Sequence, residues 1–158
     1  SDVDEIPSKS KLEFIKTSNF KLIAPIALEQ YLFHIDCNFL KLESWRGSIA
    51  TTMQIVNKYS PHRLRRSRNR ISHLNEGGWS FSSFGGASRI KEKLESIAHK
   101  EFNNDKFKNT DHLINCQKTG ADLFHRQVQS KKVDKRFFPK DLLILMEENY
   151  NYYFGEKV

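Results

Sequence analysis

The strongest constraint on the fold is the segment 31–40, YLFHIDCNFL, in which apolar and polar side chains alternate. Alternation with a period of two is typical of a β-strand that buries one face. The apolar positions of this strand are Tyr31, Phe33, Ile35, Cys37 and Phe39. Its polar positions are His34, Asp36 and Asn38, which either line a groove or contact solvent. The pattern therefore predicts a sheet with one covered face.

Helical patterns lie on both sides of this strand. Residues 8–20, SKSKLEFIKTSNF, predict a short helix that Ser8 or Ser10 caps. Residues 48–56, SIATTMQIV, indicate a segment that is either β-rich or mixed. From Ser88 onward, apolar residues recur at helical spacing. The apolar positions of this helix are Ile90, Leu94, Ile97 and Phe102.

Two further helices follow towards the end of the sequence. Residues 110–120, TDHLINCQKTG, predict a helix that stops at Gly120. The last helix begins at Pro139, a residue that suits a first helical turn, and runs into the aromatic segment YNYYF. Its core positions are Leu142, Leu143 and Met146. Because strands and helices mix without strict β-α-β repetition, the predicted class is α/β or α+β, with a mixed sheet flanked by helices.

Composition fits one folded domain over residues 1–158, since 38% of the residues are hydrophobic and 12% are aromatic. No apolar run approaches the roughly 18 residues that a membrane span requires. Cys37 and Cys116 form no CxxC motif, which favours reduced thiols and a cytoplasmic location. The formal net charge of +7 indicates an anionic partner: nucleic acid, phosphate, nucleotide or lipid headgroups.

The segment 1–7, SDVDEIP, places Asp2, Asp4 and Glu5 within four positions. Two aspartates separated by one residue can hold Mn²⁺ or Mg²⁺ together with a bound diphosphate, because hard cations prefer carboxylate oxygens. On composition alone, an exposed terminus or a helix cap is the simpler explanation.

A basic segment and a glycine-aromatic segment are the other candidates for ligand contacts. In HRLRRSRNR, residues 62–70, a helix would place Arg63, Arg66 and Arg70 on one face, and guanidinium groups suit phosphate oxygens. A solvated basic surface is the alternative. In GGWSFSSFGG, residues 77–86, glycines permit close backbone approach and an aromatic ring can stack on a sugar. A core strand that ends in two turns explains the same residues.

Several of these motifs, taken in order, resemble one known family. The segments are SDVDEIP, WRGSIATTMQIVNKYSPHRLRRSRN, GGWSFSSFGG, IKEKLESIAHKEF and GADLFHR. Together they resemble glycosyltransferase family 17, the family of the bisecting β-1,4-mannosyl-glycoprotein N-acetylglucosaminyltransferase. The resemblance runs from Asp2 to about Arg126 and rests on the order of the motifs, because none of them is specific alone.

The resemblance implies a GT-A-type fold, a UDP-sugar donor that is expected to be UDP-GlcNAc, a divalent metal (Mn²⁺ or Mg²⁺) and a saccharide acceptor. In such enzymes the nucleotide-binding half precedes the acidic motif. The chain is therefore expected to be the C-terminal part of a catalytic domain that is incomplete at its N-terminal side. Its acidic motif would then be a metal site.

The resemblance and the residue chemistry together assign roles to individual residues. The expected metal ligands are Asp2 and Asp4, with Glu5 either in support or as a salt-bridge partner. The expected contacts to the donor phosphates are Arg63, Arg66, Ser80 and His99. The expected acceptor contacts are Trp79 and Phe81. The candidates for the general base that deprotonates the acceptor hydroxyl are Asp122 and Asp111.

These assignments have alternatives in ordinary structural roles. Asp122 and Asp111 lie where an aspartate often caps a helix, and His99 lies late in a helix where it can satisfy the helix end. The chain also departs from the family at one point, because a histidine commonly follows the tryptophan and Ser80 stands here. A serine hydroxyl can donate to a phosphate oxygen but is a poor metal ligand.

Three functions follow from the sequence. The leading hypothesis is a metal-dependent, inverting glycosyltransferase that moves N-acetylglucosamine from UDP-GlcNAc to a saccharide. The second is a degenerate relative that binds saccharides or anions without transfer. The third is a nucleic-acid-binding protein, which the basic charge suggests, but the aromatic interleaving or recognition helix that such proteins use is not visible, so no nucleic-acid partner is expected.

Overall fold

A computed structural model describes residues 1–17, 24–96 and 100–155 of the chain. The strands are β1 (Glu5–Pro7), β2 (Ile26–His34), β3 (Phe39–Ala50), β4 (His73–Leu74), β5 (Gly78–Ser82) and β6 (Ser130–Lys132). The helices are α1 (Lys9–Thr17), α2 (Met53–Tyr59), α3 (Pro61–Ser67), α4 (Gly86–Ser96), α5 (Asp105–Lys108), α6 (Thr110–Thr119), α7 (Lys140–Glu148) and α8 (Tyr150–Phe154). The predictions for Ile97, for His99 and for the end of the first helix, residues 18–20, lie outside the described residues.

The strands form one mixed sheet in the order β1-β5-β2-β3-β6, and β4 pairs with β2 beside this path. The β1–β5 and β3–β6 pairs are antiparallel, whereas β2 and β4 are parallel. Helices accompany the sheet without strict alternation along the chain. The predicted class, a mixed α/β fold with helices flanking a mixed sheet, is confirmed.

The chain divides into two compact units. The first unit consists of residues 1–32 and 44–80, and the second consists of residues 33–43 and 81–158. Buried apolar residues of the first unit are Ile26, Ala27, Leu28, Leu32 and Leu64. The core cluster of the second unit is formed by Ile35, Ile90, Leu94, Leu113, Cys116 and Leu123.

The predicted continuous strand over residues 31–40 is wrong in its second half. β2 ends at His34, Ile35 has a φ of +82°, and β3 begins at Phe39. Asp36 causes this reversal, because its Oδ1 accepts the backbone N–H of Asn38 at 2.8 Å. A carboxylate that binds the backbone two residues ahead closes a tight turn. The alternation of side chains therefore stops in a hairpin rather than continuing along one strand.

The segment 48–56 contains both strand and helix, which confirms the second of its two interpretations. β3 ends at Ala50 and α2 begins at Met53. Thr52 separates them, because its side chain accepts the N–H of Ile55 at 3.4 Å and caps the helix. Threonine at this position satisfies one of the donors that a helix start leaves free.

The helix predictions hold with small shifts at the ends. α6 stops at Gly120, whose φ of +72° is the left-handed conformation that glycine adopts most easily. α7 begins at Lys140, one residue later than predicted, and Pro139 is its cap. Of its three predicted core positions, Met146 is buried, whereas Leu142 and Leu143 are half-buried. Within the described part of the chain, no helix is long and apolar enough to cross a membrane.

Candidate active site

The acidic segment lies in the first unit, where β1 fixes its position. Asp2 and Asp4 belong to the turn before β1, and β1 pairs with β5. The register places Glu5 opposite Ser80 and Ile6 opposite Trp79. Two motifs that are more than seventy residues apart in the sequence are therefore neighbours in the sheet.

Glu5 is the residue that holds together the turn of residues 2–5, called the acidic turn below. Its buried carboxylate accepts the backbone N–H of Asp2 at 3.0 Å, Nε1 of Trp45 at 3.3 Å and the hydroxyl of Ser48 at 3.2 Å. Hydrogen bonds to a charged group are stronger than those between neutral groups, and a buried carboxylate needs them. Glu5 therefore fixes the position of Asp2 by hydrogen bonds within its own unit.

Gly47 explains the third residue of the Trp-Arg-Gly motif. A Cβ atom at this position would overlap the carboxylate of Glu5 and Oε1 of Gln30. Gln30 is buried and its Nε2 donates to the hydroxyl of Ser48 at 3.1 Å. Only glycine lets β3 approach these two side chains so closely.

Arg65 is the arginine of the basic segment that contacts the acidic turn. Its guanidinium forms a two-pronged ion pair with the carboxylate of Asp2. The Asp2 side chain is 30% exposed and that of Arg65 is 56% exposed, so the pair lies at the surface. A surface pair contributes little stability, but it shows that a cationic group and an acidic group meet here.

The other arginines of this segment have different environments. Arg63 and Arg66, the two predicted phosphate contacts, are exposed on α3. Arg68 stacks on the ring of Trp45, with 4.1 Å between its Cζ and the ring centroid. Arg70 belongs to a short 3₁₀ turn, so the predicted shared face of Arg63, Arg66 and Arg70 does not continue regularly through the segment.

Trp79 and Ser80 differ sharply in accessibility. Trp79 is half-buried, its ring centroid lies 6.5 Å from that of Tyr31, and among the described residues its buried Nε1 has no hydrogen-bond partner. Ser80 is only 2% exposed. Its hydroxyl therefore lies in the interior, where a phosphate contact requires the chain to rearrange.

Asp122, in the second unit, is an ion-pair residue. Its buried carboxylate is bound by the guanidinium of Arg126 at 2.7 to 3.2 Å and accepts the backbone N–H groups of Phe124 and Arg126. Burial alone would raise the pKa of Asp122, but the hydrogen bonds from Arg126 and the backbone lower this pKa to about 2. A carboxylate held in this way is a weak base.

The remaining predicted residues fall in separate places of the second unit. Phe81 is 5% exposed and packs against Phe33 and Phe84 with centroid distances of 6.0 and 5.4 Å. Asp111 is exposed in the first turn of α6, where Asn109 rather than an aspartate is the helix cap. Phe81 thus has the environment of a core residue.

The acidic turn has the chemistry, but only part of the coordination, that a divalent metal requires. Among the described residues, no group of three His, Cys, Asp or Glu side chains is placed to hold a metal ion. Mg²⁺ and similar cations are often held by one or two protein carboxylates, with water and substrate phosphates as the other ligands. Asp2 and Asp4, both half-exposed, fit that pattern, and Arg65 would compete with a cation at Asp2.

The structure also identifies functional candidates that sequence reasoning did not single out. These are Gln30, Trp45, Ser48 and Arg65. The Trp-Arg-Gly motif, which is part of the family resemblance, pointed to Trp45 and Gly47 as residues of interest. Nothing in the sequence distinguished Arg65 from its neighbours or connected Gln30 to Glu5, because those contacts depend on tertiary packing.

Comparison with known families defines the class of protein: the chain is a glycosyltransferase. The profile of glycosyltransferase family 17 matches residues 1–130, which is most of the chain. The chain therefore belongs to glycosyltransferase family 17. Searches of curated proteins and of solved structures found no match.

Proposed function

We propose that the chain is part of a metal-dependent, inverting glycosyltransferase that transfers N-acetylglucosamine from UDP-GlcNAc to a saccharide acceptor. One observation carries the proposal. The acidic turn, the Trp-Arg-Gly motif, the basic helix α3 and β5 meet around Glu5 and Asp2 in the first unit. Family membership supports the reaction class. The meeting of these motifs supports a sugar-diphosphate site in the first unit.

Asp2 and Asp4 are the proposed ligands of Mn²⁺ or Mg²⁺. When bound, such a cation supplies positive charge that stabilises the departing diphosphate. The protein's part is to hold the two aspartates in a fixed turn, which Glu5 does by binding the N–H of Asp2 and the side chains of Trp45 and Ser48. Arg63 and Arg66, exposed on the neighbouring helix, are the proposed phosphate contacts.

The proposed general base is chosen between Asp122 and Asp111 by their surroundings. Of the two candidates, Asp122 is engaged by Arg126, whereas Asp111 is exposed to solvent. A base must reach the acceptor hydroxyl and be deprotonated near neutral pH without being held by a cation. Asp111 therefore fits the role better than Asp122.

The test is a calorimetric titration of the full chain with UDP-GlcNAc, in the presence and absence of Mn²⁺. We expect binding that requires the metal and that is lost when both aspartates are replaced, Asp2→Asn and Asp4→Asn, because the amide oxygen is a weaker ligand for a hard cation. Asp141→Asn is the matched control, since Asp141 is an exposed acid in the first turn of α7. Metal-independent binding, or equal loss in the control, would contradict the proposal.

A second experiment tests transfer itself. The donor is incubated with a saccharide acceptor, and the anomeric configuration of the product is read by NMR. We expect a β-linked product from the α-linked donor, as a single displacement requires. UDP-glucose serves as the competing donor, and equal rates with both sugars would contradict specificity for N-acetylglucosamine.

A saccharide- or anion-binding protein without transfer is the second candidate. Ser80 favours it, because this residue stands where the family commonly has histidine and because its hydroxyl is buried. The same experiments separate the two functions. A binding protein retains saccharide or UDP binding while the anomeric signal of a transfer product is absent.

A further inference from the structure

The second unit contains a cleft of about 760 Å³ to which no role has been assigned so far. Its walls come from the β2–β3 turn, the start of α4, one side of α6, and α8. The volume lies within the range of clefts that bind small organic ligands. All of the residues that line it belong to the second unit.

The β2–β3 turn places a buried carboxylate at this cleft. Asp36 is 2% exposed, lines the cleft, and accepts the N–H of Asn38. Asn38 in turn donates to the backbone oxygen of Phe154 at 3.1 Å, which ties the turn to α8. Burial raises the pKa of Asp36 to about 6, so the carboxylate is ionised at neutral pH but less solvated than usual. Such a group is a strong hydrogen-bond acceptor for a hydroxyl.

Tyr152 supplies an aromatic ring to the same cleft. The residue is 39% exposed, yet its ring is held by Phe84 and Tyr153, with centroid distances of 6.2 and 5.0 Å. Arg89 lies 5.8 Å from the ring centroid. A partly exposed aromatic ring that its neighbours hold in place can stack on an apolar surface of a ligand at little entropic cost.

Two glycines at the start of α4 keep the cleft clear. Gly86 has a φ of +81°, and a Cβ atom there would meet no other atom within 4 Å. Gly85 has a φ of +99°, and a Cβ atom there would press against Tyr152 and Arg89. At both positions the positive φ favours glycine over any residue that has a side chain, and the space beside Gly86 stays open.

The charges of the cleft favour a neutral ligand over a phosphate. Among its described lining residues, Asp36 is the acidic one and Lys118 is the basic one. The polar lining otherwise consists mainly of amides, Asn38, Gln117 and Asn151, which can both donate and accept hydrogen bonds. A diphosphate would be repelled by the buried carboxylate of Asp36, and Lys118 alone would have to balance its negative charge. A ligand rich in hydroxyl groups, with an apolar C–H face for Tyr152, matches the carboxylate, the amides and the aromatic ring.

We propose that this cleft binds a neutral saccharide through hydroxyl hydrogen bonds to Asp36 and the amides and through stacking on Tyr152. The identification of this saccharide as the acceptor rests on the proposed transferase function. The proposal replaces Phe81, a core residue, with Tyr152 as the aromatic acceptor contact. The saccharide site itself does not depend on the donor or on a metal.

The test is an NMR titration of the labelled full chain with two neutral disaccharides, mannobiose and diacetylchitobiose, without nucleotide or metal. We expect at least one of them to shift the backbone amides of Gly86, Asn151 and Tyr152. Replacement Tyr152→Ala should weaken this binding by about tenfold, which is ~1.4 kcal/mol. Tyr59→Ala is the matched control, because Tyr59 is 40% exposed and lies in the first unit.

A second variant keeps the test independent of any effect of Tyr152 on folding. Ile114 is 39% exposed and lines the cleft, so Ile114→Trp should block the site while leaving every proposed contact in place. Ile144→Trp on α7, where Ile144 is 50% exposed, is its control. Absence of shifts with both sugars, shifts elsewhere, or equal binding by Ile114→Trp and Ile144→Trp would overturn the proposal.

The outcome is separable from that of the proposed function. Disaccharide binding at the cleft without metal-dependent binding of UDP-GlcNAc would leave the saccharide site intact and reject the transferase proposal for this chain. Metal-dependent binding of UDP-GlcNAc without disaccharide binding would support the transferase proposal and reject the saccharide site. Pyrophosphate is the anionic probe, and competition by pyrophosphate at the same amides would overturn the assignment to a neutral ligand.

Discussion

The carboxylate of Asp122 can be a structural anchor or a general base, and one substitution separates the two roles. Asp122→Asn removes the charge that binds Arg126 and the turn 122–126. We expect the free energy of unfolding to fall by about 2 kcal/mol, because a buried group loses charged hydrogen bonds. Urea unfolding measures this loss.

The control for Asp122 is an exposed pair of the same type. Asp134 binds Arg136 at 2.9 Å, and both side chains are largely exposed. Asp134→Asn should leave the unfolding curve nearly unchanged, since exposed pairs contribute little. If Asp122→Asn instead keeps full stability and abolishes transfer, Asp122 is the base and Asp111 is not.

His34 gives the second unit a stability that depends on pH. Its Nδ1 is buried without a described partner, and burial lowers the pKa of His34 from 6.5 to about 3, with a smaller opposing effect of Asp122. The unfolded chain therefore binds a proton that the folded chain excludes between these two values. By linkage, His34 makes the folded state more stable as pH rises from about 3 to 6.5.

Asp36 opposes this dependence over part of the same range. Burial raises the pKa of Asp36 from 3.8 to about 6, so the folded chain holds a proton that the unfolded chain has lost. Asp36 thus makes the folded state less stable as pH rises from 3.8 to about 6. The two contributions offset each other there.

Replacement His34→Gln should expose the contribution of Asp36. The variant is expected to lose stability as pH rises from about 4 to about 6, by up to roughly 1 kcal/mol per pH unit, whereas the parent chain changes little. Urea unfolding across this range is the measurement. His62→Gln, at an exposed histidine, is the control and should follow the parent chain. If His34→Gln also follows the parent chain, the result would contradict a neutral His34 in the folded state.

At the scale of single elements, Gly47 decides whether β3 can lie beside Glu5 and Gln30. Gly47→Ala forces its new methyl group against both side chains. We expect a destabilisation of about 1 to 3 kcal/mol, the usual cost of an overpacked interior. Thermal unfolding measures it.

A double substitution tests the cause of that loss. Gln30→Ala removes one of the two groups that the methyl group would overlap, so Gly47→Ala combined with Gln30→Ala should cost less than the sum of the two single changes. Additive losses would mean that Gly47 acts through the backbone instead.

Some elements could be predicted because their signals are local. Gly120 ends α6 as its sequence indicates, and the start of α7 differs by one residue. The β2–β3 turn could not be predicted, because the apolar alternation runs through it. The chain reverses there through the single hydrogen bond from the N–H of Asn38 to Asp36. Periodicity describes which side chains are buried, and Ile35 and Cys37 are indeed buried, but in a turn rather than a strand.

At the scale of the whole molecule, family membership and fold class were readable from the order of motifs and the mixture of periodicities. The candidate site was readable only in part. The acidic, basic and aromatic segments were each visible, but their arrangement around Glu5 depends on the β1–β5 register and on β3. Contacts between distant segments leave no local signature, and this is why Arg65 and Gln30 were missed.

The whole-chain charge leads to the last prediction. The net charge of +7 attracts any polyanion, so some binding to duplex DNA is expected at about 50 mM salt. Within the arginine-rich segment, however, Arg65 binds Asp2 and Arg68 stacks on Trp45. Arg65 is exposed as well but is engaged by Asp2, so the exposed arginines left for other anions are Arg63, Arg66 and Arg70.

Three phosphate contacts would give this segment a slope of about −3 in a plot of log binding constant against log salt. Fluorescence anisotropy with a labelled duplex, between about 50 and 200 mM salt, measures the slope. Replacing Arg63, Arg66 and Arg70 with alanine should reduce its magnitude by about 3, and at about 200 mM salt the parent chain should scarcely bind. Tight binding at that salt with a much steeper slope would instead indicate a dedicated nucleic-acid surface. In that case the basic segment would serve a polymer rather than a sugar diphosphate.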